Sequence, residues 1–124
     1  MSHLAICNIG IKTENLDLSL VNQACALLEG QGYTLGTRIK NKYVDETCLI
    51  SFSSKEFPTG IGVQAASKGF KFVSDPYGYQ EGHQKAQTDF RQAYFEAAAK
   101  HVLGRMGYAV MRDLDRPRLT GVRA

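Results

Sequence analysis

His83 stands among groups that could do chemistry. Asp75, Tyr77, Tyr79, Glu81 and Asp89 all lie within a short stretch around it. An imidazole with carboxylates close by can act as an acid/base or a ligand. The plainer reading is a residue opening a helix in a polar loop, since a catalytic site needs further partners brought in by the fold. Tyr77 and Tyr79 suit an interface, because tyrosine offers large contact area and is enriched in binding hot spots. Equally, one or both can fold back to cap the core. The stretch 75–83 is the best candidate for function, because binding residues concentrate on loops held by a rigid scaffold.

A second candidate is basic. Arg38, Lys40 and Lys42 alternate along one stretch, and Arg112, Arg116 and Arg118 follow near the C-terminus. Together they could form a stripe for phosphate. The competing reading is a solvated strand face plus a polar tail, which the net charge of +3 favours. The run Gly60-Ile-Gly62-Val-Gln-Ala65 spells GxGxxA. A dinucleotide site needs a helix after it, and here a hairpin follows, so no cofactor is expected. No Walker loop, nucleophile elbow or aromatic-interleaved RNA-binding signature is present.

At 124 residues, 44% hydrophobic and 22% charged, the chain suits one folded domain. No apolar run is long enough for a membrane span, and the N-terminus has no signal-peptide pattern. The three cysteines, Cys7, Cys25 and Cys48, are widely spaced in apolar company. They read as reduced thiols of a cytoplasmic protein, without CxxC spacing for a metal. From Lys100 onward six basic residues meet two acids, so that segment carries +4 and the remainder −1.

The element that must position these residues is the stretch from Gln84 to Gly104. Stepping 100° per residue puts Ala86, Phe90, Ala93, Tyr94, Ala97 and His101 on one stripe, widened by Phe95, Ala98 and Val102. Lys85, Thr88, Asp89, Gln92, Glu96 and Lys100 take the opposite face. This predicts an amphipathic helix lying on a sheet. Upstream, residues 3–12 predict an inner strand, with His3 near its start. Leu16, Leu20, Ala24, Leu27 and Leu28, flanked by Val21, predict a first helix capped by Asn15 or Asp17 and ended at Gly30 or Gly32. Strands are expected over 33–43, 47–53, 61–66 and 70–74, with a turn at Asp45-Glu46, a loop from Ser54 to Gly60, and a hairpin at Ser67-Lys68-Gly69. A last strand spans 108–111. The two helices end alike, in Leu28…Gly32-Tyr33 and Leu103…Gly107-Tyr108.

These features resemble a known family. Met1-Ser2-His3-Leu4, the first helix ending at Gly32-Tyr33, the hairpin around Gly62, the Asp75 loop, and the long helix with Tyr94 followed by Gly107-Tyr108 carry the resemblance. It is to the conserved hypothetical reading frame number thirty-five of chloroplast and cyanobacterial genomes, a domain of unknown function with bacterial and phage relatives. It covers roughly residues 1–111. The chain departs from photosynthetic members in having no tryptophan and in its basic C-terminal extension. The resemblance implies a small cytosolic or stromal α+β protein in an accessory role, and it brings no catalytic residues with it.

The expectation is therefore one α+β domain over 1–111, followed by a loose basic tail over 112–124. Its sheet is mostly antiparallel with two helices on one face, in the order β-α-β-β-β-β-α-β, ferredoxin-like or related. Its expected function is that of a non-catalytic adaptor. It would bind another protein through Asp75, Tyr77, Tyr79, Glu81 and His83 and an exposed sheet face, with no cofactor and no metal. The rival is a nucleic-acid binder using Arg38, Lys40, Lys42, Arg112, Arg116 and Arg118. A third reading is a small enzyme centred on His83. Sheet edges also allow self-association.

Overall fold

The computed structural model describes residues 5–6, 9–105, 108–112 and 119–123. His3, Cys7, Arg116 and Arg118 lie outside them. The fold is α+β. Its elements run β1 (Ala5–Ile6), a 3-10 turn (Thr13–Asn15), α1 (Leu18–Gly30), β2 (Thr34–Lys40), β3 (Asp45–Ser54), β4 (Phe57–Ala66), β5 (Gly69–Ser74), α2 (Gln80–Arg105), β6 (Tyr108–Arg112) and β7 (Leu119–Arg123).

β2 to β5 form an antiparallel meander, and β1 adds to β5, giving the order β1-β5-β4-β3-β2. Of the expected inner strand over 3–12, the described residues show Ala5–Ile6 as a strand, and it lies at the sheet edge and not inside it. Gly10 at φ +79 cannot continue a strand, and the chain then turns through Thr13–Asn15. Ile9 nevertheless reaches the core at 2% exposure.

Local chemistry explains α1. The Asp17 carboxylate accepts from the Ser19 N–H at 2.9 Å and caps the helix. At the other end the Tyr33 N–H donates to the Leu28 carbonyl and the Gly32 N–H to that of Glu29. This is a Schellman ending, with Gly32 at φ +102 in the left-handed position. The buried residues are Val21, Ala24, Cys25 and Leu28, so the face is turned towards Val21 relative to the expected stripe.

The core lies between the helices and one sheet face. Val21, Cys25, Leu28, Phe90 and Ala93 pack with Phe52, Phe57, Ile61, Val63 and Phe72. Burial pushes the Cys25 thiol pKa up to about 12, so it serves as a small hydrophobe. The opposite face carries a second cluster of Ile39, Val44, Cys48 and Val73. The pairing of β2 with β3 shifts between Gly36 and Arg38. Such an irregularity bends a strand, and here the tip of the hairpin folds over the sheet. Gly62 permits it, since a Cβ there would lie 2.1 Å from Cys48 Sγ.

Three boundaries differ from expectation. The β2–β3 turn is 41–44, and Asp45-Glu46 begins β3. Ser54 pairs with Phe57, so only Lys55-Glu56 connects β3 to β4, and Pro58 stands inside β4. Residues 119–123, expected in a loose tail, pair antiparallel with β6. Thr120 and Val122 favour that extended state.

α2 also departs from its expected stripe. Ala86, Phe90, Ala93 and Ala97 are buried, but His101 is exposed, as are Phe95 at 64% and Val102 at 55%. The 26-residue helix is about 39 Å long. The longest strands, at 10 residues, reach only about 33 Å. Its last turns therefore outrun the sheet. Glu96, expected on the wet face, is 5% exposed. It follows Ala93 by three positions on the rim of the buried stripe, and Lys100 Nζ sits 3.6 Å from its carboxylate.

Candidate functional site

Ser74 ends β5, and α2 begins at Gln80, a turn earlier than the periodicity predicts. The connection is therefore only 75–79, and Glu81 and His83 are helical. Gly78, at φ +81, allows the Tyr79 N–H to reach the Pro76 carbonyl at 2.9 Å. The Tyr79 carbonyl then accepts from the His83 N–H at 2.8 Å and starts the helix. Glu81 in the first turn complements the helix dipole.

Asp75 points inward, at 1% exposure. One carboxylate oxygen accepts from the Tyr77 N–H at 3.2 Å, and the other accepts from Asn41 Nδ2 at 3.0 Å. Asn41 also donates to Thr59 Oγ1 at 3.2 Å. Its own Oδ1 accepts from the N–H groups of Tyr43 and Val44 at 2.8 and 2.9 Å. One asparagine thus shapes the β2–β3 turn and clasps the base of the tyrosine loop. Asn41→Ala is expected to cost about 1–2 kcal/mol, because it removes one hydrogen-bond donor from a buried carboxylate. Urea unfolding followed by circular dichroism measures this.

The outer side of the loop is aromatic. Tyr77 is 57% and Tyr79 45% exposed. Tyr79 leans on Phe57, with ring centroids 6.4 Å apart. His83 is half-buried. Its Nε2 lies 2.9 Å from Ser74 Oγ, Gln87 Nε2 lies within 3.3 Å of both ring nitrogens, and the Phe57 ring meets it edge-on at 5.2 Å. Ser74 is fully buried, so this serine–histidine pair ties β5 to α2 inside the fold.

Burial pushes the His83 pKa below its ordinary 6.5. The folded state then binds the proton less readily than the unfolded chain. The contribution is full above pH 6.5 and is lost as pH falls from there towards the folded-state value. His83→Gln is expected to flatten this part of the profile, read as the difference in Tm between the two proteins from about pH 7 to about pH 5.

Beside the loop an open cleft of about 750 Å³ is lined by Glu56, Tyr79, Glu81 and Lys85 with the backbone of 78–82. A smaller one of about 220 Å³, bordered by Tyr33, Lys55 and Gln31, shares Glu56 and Lys85 with it. His83 lines neither. Lys85, which lines both, and Tyr33, which lines the smaller, belong to one polar network. Asp89 accepts from Tyr33 Oη at 2.6 Å and from Lys85 Nζ at 2.9 Å. Burial first, then the Asp89 carboxylate, pushes the Tyr33 pKa up, while the hydrogen bond to Asp89 raises that of Lys85. Among the described residues no three His, Cys, Asp or Glu side chains gather to hold a metal ion.

Of the six basic candidates, Arg38, Lys40, Lys42 and Arg112 lie among the described residues. The Arg38 guanidinium binds the Asp45 carboxylate through two nitrogens, which raises the Arg38 pKa and lowers that of Asp45. Lys40 and Lys42 are exposed, and Lys42 Nζ lies 5.8 Å from the Tyr43 ring centroid. Arg112 ends β6. Sequence reasoning missed Asn41 and Glu56, and it placed Lys85 on the wet face of the helix without assigning it to a site. The only available signal was for Asn41, because a short polar link between strands suits an asparagine that bonds its own turn.

No helix among the described residues is long and apolar enough to cross a membrane. No protein-family model, curated protein or solved structure matches the chain.

Proposed function

We propose that this chain is a non-catalytic, cytoplasmic adaptor that binds another protein through the 75–83 segment and the adjoining sheet surface. The observation that carries this reading is the contrast within the loop. Tyr77 and Tyr79 stand in solvent, while Asp75 between them and the sheet is held from behind by Asn41. A pinned loop loses little entropy when its aromatics are covered, which is how preorganised surfaces gain affinity. An enzyme centred on His83 has less support, because that side chain is occupied with buried Ser74. Nucleic-acid binding has less support too, because Asp45 neutralises Arg38.

The test is a tagged pull-down from the source cells at low and high salt, with nuclease. A parallel bait carries Tyr77→Ala and Tyr79→Ala. The expected result is a protein that survives high salt and nuclease and is lost from the altered bait. Recovery of nucleic acid alone, stripped by salt, would sink the reading.

A further inference from the structure

The two surfaces that look like rivals in the sequence are neighbours in the fold. Asn41 and Asp75 meet side chain to side chain at 3.0 Å. Tyr43 hangs from the first through its N–H, and Tyr77 from the second in the same way. Three hydrogen bonds in series therefore link the backbones of two exposed tyrosines, 64% and 57% accessible. Lys42 precedes Tyr43 with its Nζ 5.8 Å from the ring, Lys40 ends β2 opposite Asp45, and both lysines are exposed. The tip of the β2–β3 hairpin and the loop before α2 thus form one patch of aromatic rings and ammonium groups, joined by the clasp beneath it.

We infer that this joint patch receives an acidic segment of the partner protein. The inference rests on the adaptor reading above and names the chemistry of what the adaptor takes. Carboxylates would pair with Lys40 and Lys42, and apolar side chains between them would cover Tyr43 and Tyr77. Tyrosine and a nearby lysine suit such a segment because rings give contact area and rim charges set partner choice and encounter rate. A single-stranded nucleic acid fits less well. It stacks on aromatic rings too, but it needs a groove of cations tracking its backbone, and Asp45 occupies Arg38 here. Asn41 and Asp75 are positioning residues for this surface, since they set the spacing of the two tyrosines and leave the binding to them.

The experiment compares three full-length baits in the pull-down. They are the unaltered chain, Tyr77→Ala with Tyr79→Ala, and Lys40→Glu with Lys42→Glu. All three must first show the same cooperative thermal unfolding. The captured protein is then competed with soluble polyglutamate, polylysine and oligothymidylate. The expected result is loss from both altered baits and release by polyglutamate alone. Titration of the captured protein should show affinity lowered by about tenfold or more on charge reversal, the size expected for losing close charge pairs. If the lysine bait keeps its partner while the tyrosine bait loses it, the adaptor reading stands and the acidic segment is overturned. If the tyrosine bait keeps its partner, both fail. Release by oligothymidylate would replace the acidic segment with a nucleic acid.

Discussion

Phe90→Ala is expected to destabilise the fold by about 3–5 kcal/mol, the largest effect of any single substitution considered for this chain. Phe90 has no exposed surface and lies where three rings converge. Phe52 stacks on it at 5.4 Å, Phe72 meets it at 5.2 Å, and Tyr94 lies at 6.1 Å. Truncation removes the buried ring and leaves a cavity that β3, β5 and α2 cannot all close at once, because each is held by its own backbone hydrogen bonds. The control is Phe95→Ala in the same helix. Phe95 is 64% exposed, so the change should stay within about 0.5 kcal/mol. Both are read from urea unfolding. A loss below about 1 kcal/mol for Phe90 would mean that the central ring cluster does not hold the two layers together.

Gly82→Ala should be the second largest, and its sign inverts the usual rule. Replacing a glycine inside a helix with alanine ordinarily stabilises by about 0.5–1 kcal/mol. At Gly82 a Cβ would stand 2.0 Å from the Glu56 carbonyl oxygen and 2.7 Å from its carbon. These are backbone atoms of a two-residue hairpin turn and cannot swing away. The first turn of α2 must then lift from the β3–β4 hairpin, at a cost of about 3 kcal/mol. The same shift would widen the cleft between Glu56 and Glu81 and move Tyr79. Gly104, with nothing within 4 Å of its Cβ position, supplies the counter-example. Gly104→Ala should stabilise by up to about 1 kcal/mol. Opposite signs at two glycines of one helix would show that close approach, and not helix propensity, governs position 82. Thermal melts of the two variants measure it.

Much of the architecture was legible from local patterns. The stripe Ala86, Phe90, Ala93, Ala97 was readable because helical period and burial agree wherever a helix has a sheet beneath it. The endings of α1 were readable because an aspartate before a helix and a glycine after it act within a few residues of themselves. The β4–β5 hairpin followed from the short glycine-bearing link Ser67-Lys68-Gly69 between two apolar runs. In the candidate site, the exposure of Tyr77 and Tyr79 on the loop before α2 stayed one of two open alternatives, and it is the one observed.

What stayed illegible depends on contacts between segments far apart in the chain. Nothing near Asp75 announces Asn41, which lies thirty-four positions away and reaches it only because the hairpin tip folds over the sheet. Nothing near His101 or Val102 says that the sheet ends before the helix does. Arg38 looks free until β3 brings Asp45 beside it. The composition and periodicity of this chain were enough for an α+β domain with two helices over an antiparallel sheet, because those signals are written in neighbouring residues. Which polar groups are buried, which charges are already paired, and which exposed rings share a surface were decided by tertiary packing. Each depends on how folded elements bring side chains together, across one hairpin for Arg38 and Asp45 and across thirty-four positions for Asn41 and Asp75.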